Sequence, residues 1–301
     1  MRTAATTPER DLSGYLLVFM AGVLWSTVGL GIRLIEDAVV WQILFYRSLA
    51  MSVFLYAVIQ MRTGRAPLSL IRAMGWPGLI AGAALVAAYS GAIFALQTTS
   101  VANAMMLFAA APLMAALLGR VLLGEHVRRA TWIAMLIALC GIAVMVWDKT
   151  SGAALKGNIA ALGSALGFAV FTVALRRGKS VEMMPAVLLS GLIGTVVMAA
   201  ICAALGLSLA LSPRDAGIAS GMGVFQVGAG LILYTLGSRT VPAAELTLLS
   251  MAEVVLGPVW VWLFLGETAA ASTLAGGAIL LLAIAGNALS GARRKVPPPI
   301  P

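Results

Sequence analysis

Residues 240–267, TVPAAELTLLSMAEVVLGPVWVWLFLGE, set the plan of the whole chain, because the pattern occurs twice. The earlier copy, residues 98–125, TTSVANAMMLFAAAPLMAALLGRVLLGE, lies 142 positions upstream. It shares Thr98, Ala102, Leu107, Ala110, Leu123, Gly124 and Glu125 with Thr240, Ala244, Leu249, Ala252, Leu265, Gly266 and Glu267. The offset is close to half of the 301 residues. Each copy is long enough to cross a bilayer, which takes about 20 apolar residues in helical form. Each is followed by a polar break and one more apolar run. A membrane unit present twice is the ground plan of many secondary transporters, so the repeat points toward transport.

Composition narrows the class further. With 61% hydrophobic residues, 10% charged residues and a mean hydropathy of +1.01, the chain has too little polar surface to cover a soluble globule of this length. The apolar runs are long and continuous, whereas strands of a β-barrel would alternate over short segments, so the expected class is an all-α integral membrane protein. The net charge of +9 sits in the breaks between apolar runs and fits orientation signals and anionic-lipid contacts rather than nucleic acid. Cys140 and Cys202 fall inside apolar runs without metal-ligand spacing and read as packing residues. His126 is the only histidine, which rules out a zinc site of the HExxH type; no metal or cofactor is expected. No Walker A sequence is present, so ATP is not the expected energy source.

In chain order, the polar segment 1–13 is followed by spans at about 14–34, 39–60, 76–96, 101–123 and 130–147, with no evident cleavable signal in the first. After a connection at 148–157 come spans at about 158–175, 184–205, 216–237, 242–265 and 271–290. A basic, proline-rich tail at 291–301 is expected to be disordered. The predicted organisation is therefore ten transmembrane helices, as one five-helix repeat at 14–147 and a second at 158–290. With the N-terminus in the cytoplasm, the outer segments hold only Arg33, Lys149, Lys156 and Arg214, Arg47 lies within a helix, and the other fifteen of the 20 basic residues fall inside. Both termini are then cytoplasmic. Five crossings per half invert one repeat relative to the other, which places a substrate site near mid-membrane between them.

The ten-span pattern, the two five-helix repeats, the Trp25-Ser26 pair in the first helix and the Leu-Gly-Glu endings of the fourth and ninth helices resemble the drug/metabolite transporter superfamily, in its EamA-domain branch. The resemblance covers nearly the whole chain. Within that branch the chain looks most like the YddG-type exporters of aromatic and other amino acids. It implies a bacterial inner-membrane exporter of small amphipathic metabolites, with a cavity lined mainly by helices one, three, four, six, eight and nine. The sixth helix carries Phe168 where an equivalent of Trp25 would fall, so the first-helix motif is only half repeated.

Glu253 is the sharpest single signal, lying about 11 residues into the ninth span and roughly 16 Å deep. A carboxylate there costs at least a few kcal/mol on insertion scales, so it is a candidate for substrate binding or ion coupling; the alternative is a neutral packing residue. Glu245 lies two turns earlier, as a second ion-coupling candidate or a hydrated interfacial acid. The matching positions in the first half are Asn103 and Ala111. Arg47, in the second span, either snorkels, bonds carbonyls of a broken helix, or binds a substrate carboxylate. Trp25, Tyr89, Phe108, Phe168, Phe171 and Tyr234 supply candidate faces for an apolar or aromatic substrate, and Ser26, Gln97, Asn103, Gln226 and Ser250 candidate polar contacts, although aromatics at helical spacing also serve as packing. The GxxxG pairs Gly78/Gly82, Gly163/Gly167 and Gly217/Gly221 are expected to let helix backbones touch. Pro112 and Pro258 are expected bending points.

The leading expectation is a carrier of small amphipathic metabolites, amino acids foremost. An exporter of other drugs or metabolites, a channel and a membrane scaffold are the alternatives. An intramembrane enzyme is disfavoured, because the chain has no paired-aspartate motif, histidine cluster or nucleophile elbow.

Overall fold

The computed structural model describes residues 12–147, 152–178, 184–237, 241 and 243–292, and the side chains of all of these except 12, 152–153, 243–248, 250–251 and 291–292. The segment 1–11, the connection 148–151 and the tail 293–301 lie outside the described residues.

Every described element is helical. The first half contains α1 (Leu12–Ser26), α2 (Val28–Arg33), α3 (Val40–Thr63), the short α4 (Pro67–Ala73), α5 (Gly75–Thr98), α6 (Val101–Phe108), α7 (Ala111–Leu123) and α8 (Arg129–Trp147). The second contains α9 (Gly152–Arg177), α10 (Met184–Ala204), α11 (Pro213–Gly221), a π-helix (Met222–Ala229), α12 (Gly230–Gly237), α13 (Ala243–Leu265) and α14 (Ala271–Ala292). Three crossings are composite: α1 with α2, α6 with α7, and α11 through the π-helix to α12. Among the described residues nine helical stretches are long and apolar enough to span a membrane, and α13, 23 residues long, is the tenth crossing. The chain is an all-α integral membrane protein of ten transmembrane helices in two five-helix repeats.

The helices are apolar all round, so they bury one side against each other and present the other to lipid. Leu16, Val121, Leu136, Val196 and Leu282 face outward, while Ile43, Leu44, Ile93, Leu107, Leu188 and Leu280 are buried. Trp76 and Trp147 stand exposed near span ends, where an interfacial ring belongs.

The packing shows the repeat as a pseudo-two-fold. α3 packs on α10 and α8 on α14, each helix meeting its own counterpart. α5 packs on α9 as α12 packs on α1, and α7 packs on α9 as α13 packs on α1. The closest backbone contacts differ from the GxxxG expectation. Gly167 does meet α5, its Cβ position lying 3.0 Å from the Ala84 carbonyl oxygen, but nothing lies within 4 Å of the Cβ positions of Gly163, Gly217 or Gly221. A reciprocal close approach is found instead between α8 and α14. A Cβ on Gly276 would lie 2.4 Å from the Gly141 carbonyl oxygen, and one on Gly141 would lie 2.6 Å from that of Gly276. Spacing alone marks small residues; facing them to a partner takes the helix rotation that the whole fold sets.

Pro112 follows the break between α6 and α7, where Ala109 and Ala110 interrupt the helix. Pro258 sits inside an unbroken α13. The helix is thus interrupted at one proline of the pair and continuous through the other.

Candidate functional site

The paired Leu-Gly-Glu motifs are helix endings that deliver a carboxylate. Gly124 and Gly266 adopt the left-handed conformation, with φ of 69° and 67°, that ends α7 and α13 and that glycine reaches without a Cβ penalty. The following N–H turns back onto the helix, Glu125 to the Gly119 carbonyl and Glu267 to that of Val261, each at 3.2 Å. The glutamates then reach arginines of the opposite half. Glu267 pairs with Arg33 at 2.7 Å, and Glu125 with Arg176 at 2.9 Å.

The two ion pairs occupy corresponding places at opposite ends of the bundle, and they are unequal. Arg33 also donates to the carbonyls of Leu96 at 2.8 Å and Thr99 at 2.9 Å, and the Val101 N–H donates to Glu267 at 2.7 Å. One guanidinium–carboxylate pair thereby joins α2, α5, α6 and the end of α13. Its side chains are 27% and 22% exposed, against 51% and 43% for Arg176 and Glu125. Burial pushes the Glu267 carboxyl up, but the Arg33 hydrogen bond, the Val101 N–H and the Arg33 charge together hold it below its ordinary value.

A cavity of about 380 Å³ lies between the halves. It is lined from nine of the ten crossings by Trp25 and Val28, Arg47 and Met51, Tyr89, Phe108, Phe168 and Phe171, Ser190, Gln226 and Tyr234, Glu253, and Ile284 among others. Relative to the expected lining, α3, α10 and α14 also contribute. Its volume falls in the range of small-molecule sites, roughly 300–1,000 Å³, and its wall is mostly apolar with few polar groups.

Two aromatic pairs shape the wall. The rings of Trp25 and Tyr234 are 5.4 Å apart and tilted 39°, and those of Phe168 and Phe171 are 5.6 Å apart and tilted 40°. Trp25 fits because position 230 is glycine: a Cβ there would lie 2.3 Å from the indole Nε1. Arg47 places its guanidinium 5.5 Å from the Tyr89 ring centre, and the Tyr89 hydroxyl donates to the Ser190 carbonyl at 2.8 Å. Glu253 lines the cavity from α13 and has no hydrogen-bond or ion-pair partner among the described residues.

Trp25, Arg47, Tyr89, Phe108, Phe168, Phe171, Tyr234 and Glu253 are thus brought together. Ser26 and Asn103 are not part of the lining. Ser26 is fully buried; its hydroxyl donates to the Val23 carbonyl at 2.6 Å and accepts from the Trp260 indole at 2.8 Å, tying α1 to α13. Asn103 is fully buried in a polar junction, its amide donating to Asn158 and its carbonyl accepting from Thr273 at 3.4 Å, which joins α6, α9 and α14. The side chains of Glu245 and Ser250 lie outside the described residues.

Of the other polar candidates, Gln226 lines the cavity from the π-helix, whereas Gln97 does not and donates to the Ala38 carbonyl at 3.3 Å. Sequence reasoning passed over one group. Asp215, 1% exposed, accepts the N–H groups of Glu36, Asp37 and Ala38, each at 3.1 Å, and so clasps the turn between the first two crossings. The signal for Asp215 was the Ser212-Pro213 start of α11, since Ser212 caps the Asp215 N–H at 3.1 Å and places the acid in the first turn.

A central cavity of small-molecule size between two repeats of apolar spanning helices is the arrangement of a multi-pass membrane transport protein. The chain belongs to the EamA-like transporter family, whose model matches residues 12–147 and again 155–289. It is 27% identical over 231 residues to the protein named "Uncharacterized transporter YwfM" of Bacillus subtilis, covering 75% of this chain and 77% of that one. It is 30% identical over 189 residues to Protein RarD of Salmonella typhi, covering 61% and 62%. A solved crystal structure shares the fold, with a TM-score of 0.66 and 23% identity over 94% of this chain and 99% of the other.

Proposed function

We propose that the chain exports small amphipathic metabolites, amino acids with aromatic or large apolar side chains foremost, by alternating access of the central cavity to the two sides of a bacterial inner membrane. The observation that carries this reading is the cavity itself: two aromatic pairs beside the polar side chains of Arg47, Gln226 and Glu253, with neither Arg47 nor Glu253 in an ion pair among the described residues. An apolar body with a small polar headgroup matches such a wall. The excess of basic residues in alternate connections supports a cytoplasmic location for both termini, and reporters fused at Gly291 and at Gly152 are then expected on opposite sides.

The test is efflux from proteoliposomes holding the pure protein, with a panel of labelled amino acids. Saturable counterflow of aromatic and large aliphatic amino acids is the expected result; flux that does not saturate would mark a channel. Glu253 has one of two roles here, carrying a proton against the substrate or meeting its ammonium. If it carries protons, Glu253→Gln abolishes uphill movement driven by a pH gradient while counterflow persists. If it meets the ammonium, counterflow is lost as well. A variant that behaves like the parent in both assays would show that Glu253 has neither role.

A further inference from the structure

Two buried polar atoms without a protein partner face one cavity, one a donor and the other an acceptor. Among the described residues, Arg47 Nε and Gln226 Oε1 are the buried side-chain atoms with no hydrogen-bond partner. The Gln226 oxygen is identified by its neighbour's chemistry. The Thr27 hydroxyl has a single hydrogen and gives it to the Leu24 carbonyl at 2.7 Å. Towards Gln226 it acts as an acceptor, so the amide nitrogen faces it, at 2.9 Å, and the amide oxygen is the free end. Gln226 is only 6% exposed, and an unpaired carbonyl oxygen that deep is costly.

The donor comes from the neighbouring helix. The π-helix packs against α3 so closely that a Cβ on Gly223 would lie 2.3 Å from the Arg47 carbonyl oxygen, and Gly223 precedes Gln226 by three residues. Both side chains line the same cavity without bonding each other. A ligand that answers both must carry an acceptor and a donor close together. A simple amine leaves Arg47 unanswered and a simple carboxylate leaves Gln226 unanswered, whereas the carboxylate and ammonium of an α-amino acid sit on one carbon.

From this geometry we infer that Arg47 and Gln226 form a headgroup clamp, with the substrate carboxylate on the Arg47 guanidinium and the ammonium on Gln226 Oε1. The clamp rests on the amino-acid reading above and adds to it the assignment of each headgroup charge. The Tyr89 ring, 5.5 Å from the guanidinium, steadies it, and the paired aromatics receive the substrate side chain. The π-helix is what turns Gln226 inward, a use of this rare turn at functional positions.

The clamp is tested by equilibrium binding to the pure protein of three ligands with one aromatic body: phenylalanine, phenethylamine, which lacks the carboxylate, and 3-phenylpropionate, which lacks the amine. Phenylalanine is expected to bind at least about tenfold tighter than either fragment. Gln226→Met should weaken phenylalanine and phenethylamine by about ten- to a hundredfold and leave 3-phenylpropionate unchanged. Arg47→Gln should do the converse. Gln226→Glu should tighten phenethylamine, a gain that poor folding does not produce. Equal losses for all three ligands in the glutamine variants, or no change in 3-phenylpropionate binding in Arg47→Gln, would overturn the clamp while phenylalanine still binds the parent protein. Failure of the parent to bind any of the three would overturn the amino-acid reading, and the clamp with it.

Discussion

Trp25 owes its place in the cavity wall to a residue it does not neighbour in sequence. Its indole occupies the volume that any side chain at position 230 would take, and its ring leans on Tyr234 one turn further along α12. Gly230→Ala is therefore expected to push the indole into the cavity and weaken binding of aromatic substrates about tenfold or more, while the thermal midpoint moves little; a ligand titration followed by tryptophan fluorescence measures both ends of that statement. The sequence made Trp25, Arg47 and Glu253 legible because an aromatic, a cation and an acid stand out within apolar runs. It did not separate Trp25 from Ser26, although one lines the cavity and the other ties α1 to Trp260. Neighbouring positions on a helix point about 100° apart, and only the packing of α12 and α13 decides which of the two faces inward. Gln226 was legible only alongside Gln97 as a polar residue within a span, and it takes the packed fold to put the first in the cavity wall and the second on the Ala38 carbonyl.

At the scale of the helices, the crossing of α8 and α14 leaves no room for a side chain on either helix. Gly141 and Gly276 bring two backbones together, and a Cβ at either position would overlap a carbonyl oxygen that cannot move without its helix. Gly276→Ala should cost about 1–3 kcal/mol of stability, read as a lower thermal midpoint in detergent. Gly163→Ala, with open space around its Cβ position, should be silent in the same measurement. Span positions were visible from the continuous apolar runs, and the break at Pro112 from the proline. That Pro258 leaves α13 unbroken was not, because a proline removes one backbone donor without fixing whether the helix stops there.

Across the whole molecule, the pairs Arg33–Glu267 and Arg176–Glu125 brace opposite ends of the cavity, and the first is the more deeply set. Glu267→Gln is expected to loosen its end and raise the labelling rate of a cysteine introduced at Thr99 several-fold, whereas Glu125→Gln should leave that rate unchanged. Acid should act in the same direction as Glu267→Gln. The folded carboxyl titrates below its ordinary value, so its contribution is fully present above about pH 4.3 and is lost as the pH falls through the depressed value. Across neutral pH this brace is insensitive to protons. Both glutamates were conspicuous in the sequence as the close of the repeated motif; their arginine partners were not, since each lies in the other half of the chain.

The symmetric packing also bears on how the molecule is made. The strongest helix contacts, α5 with α9, α8 with α14, α3 with α10 and α1 with α13, all cross from one half to the other. During synthesis the first five helices therefore enter the bilayer without the surfaces they will later cover, and their future interior faces lipid until the second half emerges. A chain cut within 148–151 and expressed as two fragments should regain transport only when both are made in the same cell, and either fragment alone should be cleared by membrane proteases, as pulse–chase labelling would record. The duplication thus yields one folding unit rather than two.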